Sequence, residues 1–132
     1  MSDPSMRSPL SRVRGLGSAK DGTSHFIRQR VTAIALIPLC LWFISSLLRS
    51  AAFSGREGLL AWISHGSTAV LLILTLIALF THAMLGVQVI IEDYVHKPCC
   101  KTAGLLLNFF IMFGLAAASI FAVLKLHFHL VA

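Results

Sequence analysis

Three long apolar runs, separated by short polar stretches, set the pattern of the chain. The first is Val31 to Leu48, bracketed by Arg30 and Arg49; the second is Ser67 to Ile91; the third is Ala103 to Leu124, followed by Lys125. A membrane-crossing helix needs about 20 mainly apolar residues at about 1.5 Å each. The second run is long enough to cross with tilt. The first is slightly short, and is expected to recruit Phe26 and Ile27, or Ala51 to Phe53, while its arginines snorkel. Strand-like alternation is absent, so helices are the spanning structure that remains. The pattern predicts helices over about 26–49, 67–91 and 103–125. Residues 1–24 form a basic N-terminal tail, and 25–132 a single three-helix membrane domain.

Punctuating residues refine this outline. The Gly15-Leu-Gly17-Ser and Lys20-Asp-Gly-Thr stretches read as turns, and Ser24 as an N-cap of the first helix. Pro38 is expected to kink that helix. The first loop, Ser50 to Gly66, holds Gly55, Gly58 and the apolar piece Leu59 to Ile63, a short helix expected to lie on the membrane with Trp62 at the interface. Pro98 ends any helical continuation in the second loop, Glu92 to Thr102. So short a link makes the second and third helices antiparallel neighbours.

Composition agrees with a membrane protein. Hydrophobic residues make up 57% of the 132 and charged residues only 12%, where a soluble domain carries about 25% charged. The formal charge of +6 does not indicate nucleic acid, because the basic residues flank apolar runs and form no patch with interleaved aromatics. They report topology instead. Arg7, Arg12, Arg14, Lys20, Arg28 and Arg30 precede the first span, and Lys97 and Lys101 share their side. Arg49, Arg56 and Lys125 lie on the other. Eight against three places the N-terminus inside and the C-terminus outside. The start is rich in Arg and Ser, like a transit peptide, but reads more plainly as a cytoplasmic tail supplying topogenic charge. A bacterial inner membrane is expected, ahead of a mitochondrial one. Cys40, Cys99 and Cys100 have no zinc-like spacing, and the adjacent pair is expected to stay reduced.

One side chain breaks the apolar pattern. His82 lies deep within the second run, where ionisable groups are costly and mark a pathway, a cofactor or a counter-ion. At about 100° per residue, Gly86, Val89 and Asp93 share its stripe, and Asp93 lies about 16 Å toward the inner face. This places His82 near mid-membrane. An imidazole is a standard axial ligand of haem iron, and Gly86, one turn away, leaves room for a flat porphyrin. Taken alone, Gly86 reads first as a close-packing residue, and His82 equally well as a histidine bonded to a Ser or Thr of a neighbouring helix. His25, His65, His96, His127 and His129 all lie toward the ends of the spans, so either the iron has one protein ligand or a partner subunit gives the second, and the partner is the favoured reading. His127-Phe-His129 reads as interfacial. Tyr94, the one tyrosine, can donate a hydrogen bond to a quinone carbonyl, and Asp93 can deliver protons. Their plainer readings are a belt tyrosine and a solvated helix-end charge.

The run His82-Ala-Met-Leu-Gly86 followed by Asp93-Tyr94-Val95 resembles the second-helix motif of the small hydrophobic membrane anchor of succinate dehydrogenase. The stretch His25-Phe-Ile-Arg-Gln-Arg30-Val-Thr-Ala33 is similar to that family's approach to helix one. The resemblance covers roughly residues 22–126. The larger, cytochrome b-type anchor fits less well, because this chain has Gly86-Val-Gln-Val and no Ser-Pro-His segment.

The resemblance implies half of a heterodimeric haem-binding bundle in the respiratory chain and tricarboxylic acid cycle. Its partners are a sister cytochrome b-type anchor, an iron–sulfur subunit and a flavoprotein, with membrane lipid around it. The chain is expected to be no enzyme on its own. The resemblance further implies haem b shared with the sister subunit, with His82 as an axial iron ligand and Gly86 and Arg30 beside the group. Tyr94 and Asp93 are implied at a site for ubiquinone or menaquinone. The rival reading is a cofactor-free three-helix structural or transport protein.

Overall fold

A computed structural model describes residues 19–131; the sequence-expected tail, residues 1–18 of it, lies outside the described residues. The chain is all-helical over this range, with α1 at Ala19–Ser64, α2 at Gly66–Tyr94 and α3 at Pro98–Val131. All three contain a stretch long and apolar enough to cross a membrane, Thr23–Ala52 in α1 and the whole of α2 and α3. The expected turn at Lys20 to Thr23 is helical instead, and Ser24 lies inside α1, where its hydroxyl oxygen is 3.5 Å from Nη2 of Arg28. Hydrophobic pattern alone could not set that start, because the first turns of α1 are polar.

The break in α1 is at a glycine, not at the proline. Backbone dihedrals stay helical through Pro38, and the one departure is Gly55, at φ 52° and ψ −131°. That conformation is open to glycine and strained for other residues. Past it, residues 56–64 double back. In a straight helix, Trp42 and Trp62 would be about 30 Å apart. Instead their rings lie 6.1 Å apart, with Phe43 6.2 Å from Trp62. The apolar piece around Trp62 therefore leans on α1 rather than extending it. His65 alone links this segment to α2, in an extended conformation.

At the other end Val95, His96 and Lys97 connect α2 to α3, which begins on Pro98. Proline suits a first helical position, because its missing N–H is not needed there. Links this short make α1, α2 and α3 successively antiparallel. α2 is the central helix, packed on both neighbours, while α1 and α3 meet less.

The packing is that of helices in lipid. Among the described residues the buried set is Thr68, Ala69, Thr75, Leu85 and Asn108, and no side chain is fully enclosed. Large apolar side chains such as Ile34, Leu41, Phe110 and Phe121 point outward. Without water there is no hydrophobic drive between helices, so small and hydrogen-bonding residues make the contacts. Thr68, Thr75 and His82 recur every seven residues, which keeps them on one stripe of α2. Hydroxyls along the spans donate to carbonyls of their own helix, as Thr75 does to Leu71 at 2.7 Å and Ser50 to Ser46 at 2.9 Å. Apolar surroundings demand such internal satisfaction.

Candidate functional site

His82 is half-buried on α2 and reaches across to α1, where its Nδ1 lies 3.1 Å from Oγ1 of Thr32. That contact sets the register of the two helices. Thr32 stands one third of the way along the α1 span Thr23–Ala52, opposite His82 near the middle of α2.

The opposite edge of the ring is free. Nε2 of His82 makes no hydrogen bond to any described residue, and the one buried, unpartnered side-chain atom among them is Nε2 of His25. So the free nitrogen of His82 opens at the surface of the chain. Leu85, on one side of the histidine, is buried at 3% exposure. Gly86, on the other side, faces space: a Cβ there would meet nothing within 4 Å. Close packing within this chain therefore does not explain Gly86. Among the described residues no three His, Cys, Asp or Glu side chains gather, so His82 stands as a single donor.

Arg30 and Arg28 lie two and four residues before Thr32, which puts them about 3 and 6 Å further toward the N-terminal end of α1. Both are exposed. Arg28 shares the stripe of Thr32. Arg30 is turned about 200° from it, with its guanidinium 5.0 Å from the centre of the Phe26 ring. Neither pairs with a carboxylate among the described residues. Unpaired cations at the edge of an apolar span favour an anionic partner.

Asp93 and Tyr94 end α2, both exposed, Tyr94 at 78%. The helix end beneath them is well tied. The carbonyl of Ile91 accepts from Val95 N at 3.0 Å, that of Glu92 from Lys101 Nζ at 3.0 Å, and that of Tyr94 from His96 Nδ1 at 3.1 Å. These bonds satisfy carbonyls that a helix end leaves open. They hold the backbone while the Asp93 and Tyr94 side chains stay available. His82 is about 16 Å from this end along the axis, so the two sets of residues are separate.

Two other histidines tie down the 56–64 segment: His65 Nδ1 donates to the carbonyl of Ala61 at 2.6 Å and His127 Nδ1 to that of Ile63 at 3.1 Å. Two residues are not singled out by the sequence. The plainer reading of His82 calls for a bond to a Ser or Thr of a neighbouring helix, and Thr32 is that residue. Asn108, in the apolar run of α3, donates from Nδ2 to the carbonyl of Met84 at 3.0 Å. Its signal was present, since an amide in mid-span needs a partner. It ties α3 to α2 two residues from His82, on the face turned away from Gly86.

Comparison with known proteins agrees with this architecture. The family model described as succinate dehydrogenase/fumarate reductase transmembrane subunit matches residues 4–124. A succinate dehydrogenase hydrophobic membrane anchor subunit of Paracoccus denitrificans is 32% identical over 120 residues, covering 89% of this chain and 90% of that protein. The subunit of the same description from Rickettsia bellii is 33% identical over 90 residues, covering 67% and 70%. That of Rickettsia conorii is 33% identical over 93 residues, covering 69% and 74%. No solved structure matches. A three-helix membrane chain with this motif and these relatives belongs to the succinate dehydrogenase/fumarate reductase transmembrane subunit family, as a membrane anchor subunit of succinate dehydrogenase.

Proposed function

We propose that this anchor holds one haem b together with a cytochrome b-type sister subunit and contributes to the site of quinone reduction. The observation that carries the reading is the His82 ring: its Nδ1 is tied to Thr32, its Nε2 is free, and the space beside Gly86 is open. The residues fit the group. A single imidazole donor suits an axial site whose second ligand comes from another chain, and a glycine without packing neighbours suits a broad flat plate. Arg30 would pair with propionates through charge-assisted hydrogen bonds only by reaching round from the face of α1 turned away from Thr32, whereas Arg28 already lies on the Thr32 stripe. Bound there, haem b supplies a one-electron store close to the quinone.

At the inner end, Tyr94 donates its phenolic hydrogen bond to a quinone carbonyl, and Asp93 passes protons inward from the aqueous side. The chain does no succinate chemistry. It anchors the flavoprotein and iron–sulfur subunits to the membrane, which we infer to be a bacterial inner membrane with the N-terminus inside.

Two variants of the assembled complex test it. His82→Ala is expected to abolish or strongly alter the b-type visible spectrum. Tyr94→Phe leaves that spectrum unchanged and slows quinone reduction by roughly 2- to 10-fold, the equivalent of one lost neutral hydrogen bond. An intact b-type spectrum in assembled His82→Ala sinks the ligation. Purified complex with no visible haem and no flavoprotein would favour a cofactor-free helical protein.

A further inference from the structure

We propose that Thr32 is a positioning residue for His82: it holds the imidazole with its proton on Nδ1, so that the lone pair on Nε2 faces outward as the iron donor. The inference rests on the haem-ligand reading above and adds a residue from α1 to it.

The argument is one of counting protons. The contact between Oγ1 of Thr32 and Nδ1 of His82 is 3.1 Å. A hydroxyl has a single hydrogen and two lone pairs. Two carbonyls of its own helix already lie within reach of the Thr32 hydroxyl, Arg28 O at 2.9 Å and Gln29 O at 3.1 Å. Threonine in a helix commonly gives its hydrogen to such a carbonyl. Once that hydrogen is spent, Oγ1 toward His82 is an acceptor only. Nδ1 must then carry a proton and donate it to Oγ1. A neutral imidazole has one N–H, so Nε2 carries the lone pair. An imidazolium, with both nitrogens protonated, would place a bare charge at an apolar level, where it is costly.

The reverse arrangement, with Thr32 donating to Nδ1, would put the proton on Nε2 and close it to a metal. The helix carbonyls therefore act through one hydroxyl to choose the tautomer that binds iron. Ligating histidines commonly donate their second N–H to an acceptor, which fixes the ring and raises its basicity. Here the acceptor is a threonine from the neighbouring helix. The rotation of α1 about its axis becomes part of the ligand geometry, because Thr32 and Arg28 lie on one stripe.

A more basic imidazole favours ferric over ferrous iron, so removal of the acceptor should raise the haem potential. The test uses the assembled complex with Thr32→Val, which keeps the shape and loses the hydroxyl, and Thr32→Ser, which keeps the hydroxyl. Two quantities are read: the midpoint potential of haem b, and the rate at which haem passes to added apomyoglobin. Thr32→Val is expected to raise the potential and speed haem loss by ~10-fold or more, while Thr32→Ser restores both toward the unaltered values. Thr32→Ala, read in the same way, serves if the valine complex does not assemble. An unchanged potential and loss rate in Thr32→Val, beside a His82→Ala complex that has lost its haem, overturns the role of Thr32 and leaves the ligation intact. A lower melting temperature with no change in potential also overturns it, since that is all a purely structural contact would move. A His82→Ala complex that keeps its b-type spectrum removes both readings together.

Discussion

Two glycines on the paired helices α2 and α3 have opposite surroundings. Gly104, in α3, lies against α2: a Cβ there would sit 3.4 Å from Cγ2 and 3.7 Å from Cδ1 of Ile91. Gly86, in α2, faces nothing within 4 Å. The first glycine works inside the chain, where two helices come close, and Asn108 ties the same interface one turn further along. The second has no work to do inside the chain. A helix interior discourages glycine by about 1 kcal/mol relative to alanine. Where packing gives no return for that cost, the return is looked for outside the chain, and His82 one turn away says of what kind. At Gly104 the α2–α3 face is closed, though beyond Asn108 it opens into a cavity of about 440 Å³ lined by Ile77, Met84, Phe109 and Phe113; the His82–Gly86 face is open within this chain, and the proposed haem would fill it.

Filling the open face should have the largest effect. A Cβ at Gly86 meets nothing within 4 Å in the chain, so Gly86→Phe is expected to leave the helices and the assembly of the complex intact. It would occupy the room beside His82 and reduce haem b retained per flavin by roughly tenfold or more, about 1.4 kcal/mol of binding. Haem and flavin content of the purified complex check this. Full haem content in Gly86→Phe would mean that the open face is lipid-facing surface and nothing more.

An intermediate effect is expected on the closed face. Asn108→Leu keeps the volume of the side chain and removes the hydrogen bond to Met84 O. Interhelical hydrogen bonds in membranes contribute about 0.6 kcal/mol on average and up to ~2 kcal/mol. The Met84 carbonyl keeps its own helical partner, so the loss should stay near 1 kcal/mol on that same scale. Thermal or detergent denaturation of the complex measures it. The haem potential should not move, because Asn108 approaches α2 from the side away from Gly86. A shift in potential with no loss of stability would merge the two faces that the glycines separate.

Much of this was legible in the sequence. Three apolar runs gave three spans, since hydropathy and length decide what can cross a membrane. His82 stood out for the same reason, as the polar exception in such a run, and its spacing to Gly86 and Asp93 follows from the pitch of one helix. What stayed hidden depends on more than one helix. Thr32 is unremarkable until the register of α1 against α2 sets it beside His82. The reversal at Gly55 was hidden differently. Pro38 is the louder breaker in sequence, yet a helix in apolar surroundings holds its conformation through it, while Gly55 takes the left-handed turn that lets Trp62 meet Trp42. Arg28 and Arg30 read as flanking charge in the sequence, and only the contact of Thr32 with His82 shows that Arg28 lies one turn along the stripe that faces the histidine while Arg30 points away from it.

The smallest effect should come from the closed face itself. Gly104→Ala brings two opposing changes. Alanine is the better helix former by about 1 kcal/mol. Its Cβ would stand 3.4 Å from Cγ2 of Ile91, tight enough to ask for a shift of a few tenths of an ångström. The atoms that must give belong to a side chain, not to backbone, and Ile91 lies at the inner end of α2, where it is only half-buried. The shift is therefore inexpensive, and the net change in stability should lie within about 0.5 kcal/mol of zero, the size of an ordinary surface substitution. Gly104→Leu cannot be absorbed in this way and should cost about 1–3 kcal/mol as an overpacked contact. Denaturation midpoints of the two complexes decide it. If leucine is tolerated as well as alanine, the helices do not meet at Gly104, and the two glycines no longer differ. If alanine already destabilises the pair by the leucine amount, Ile91 is held more rigidly than its exposure implies, and the closed face is tighter than a lipid-embedded contact between small residues requires.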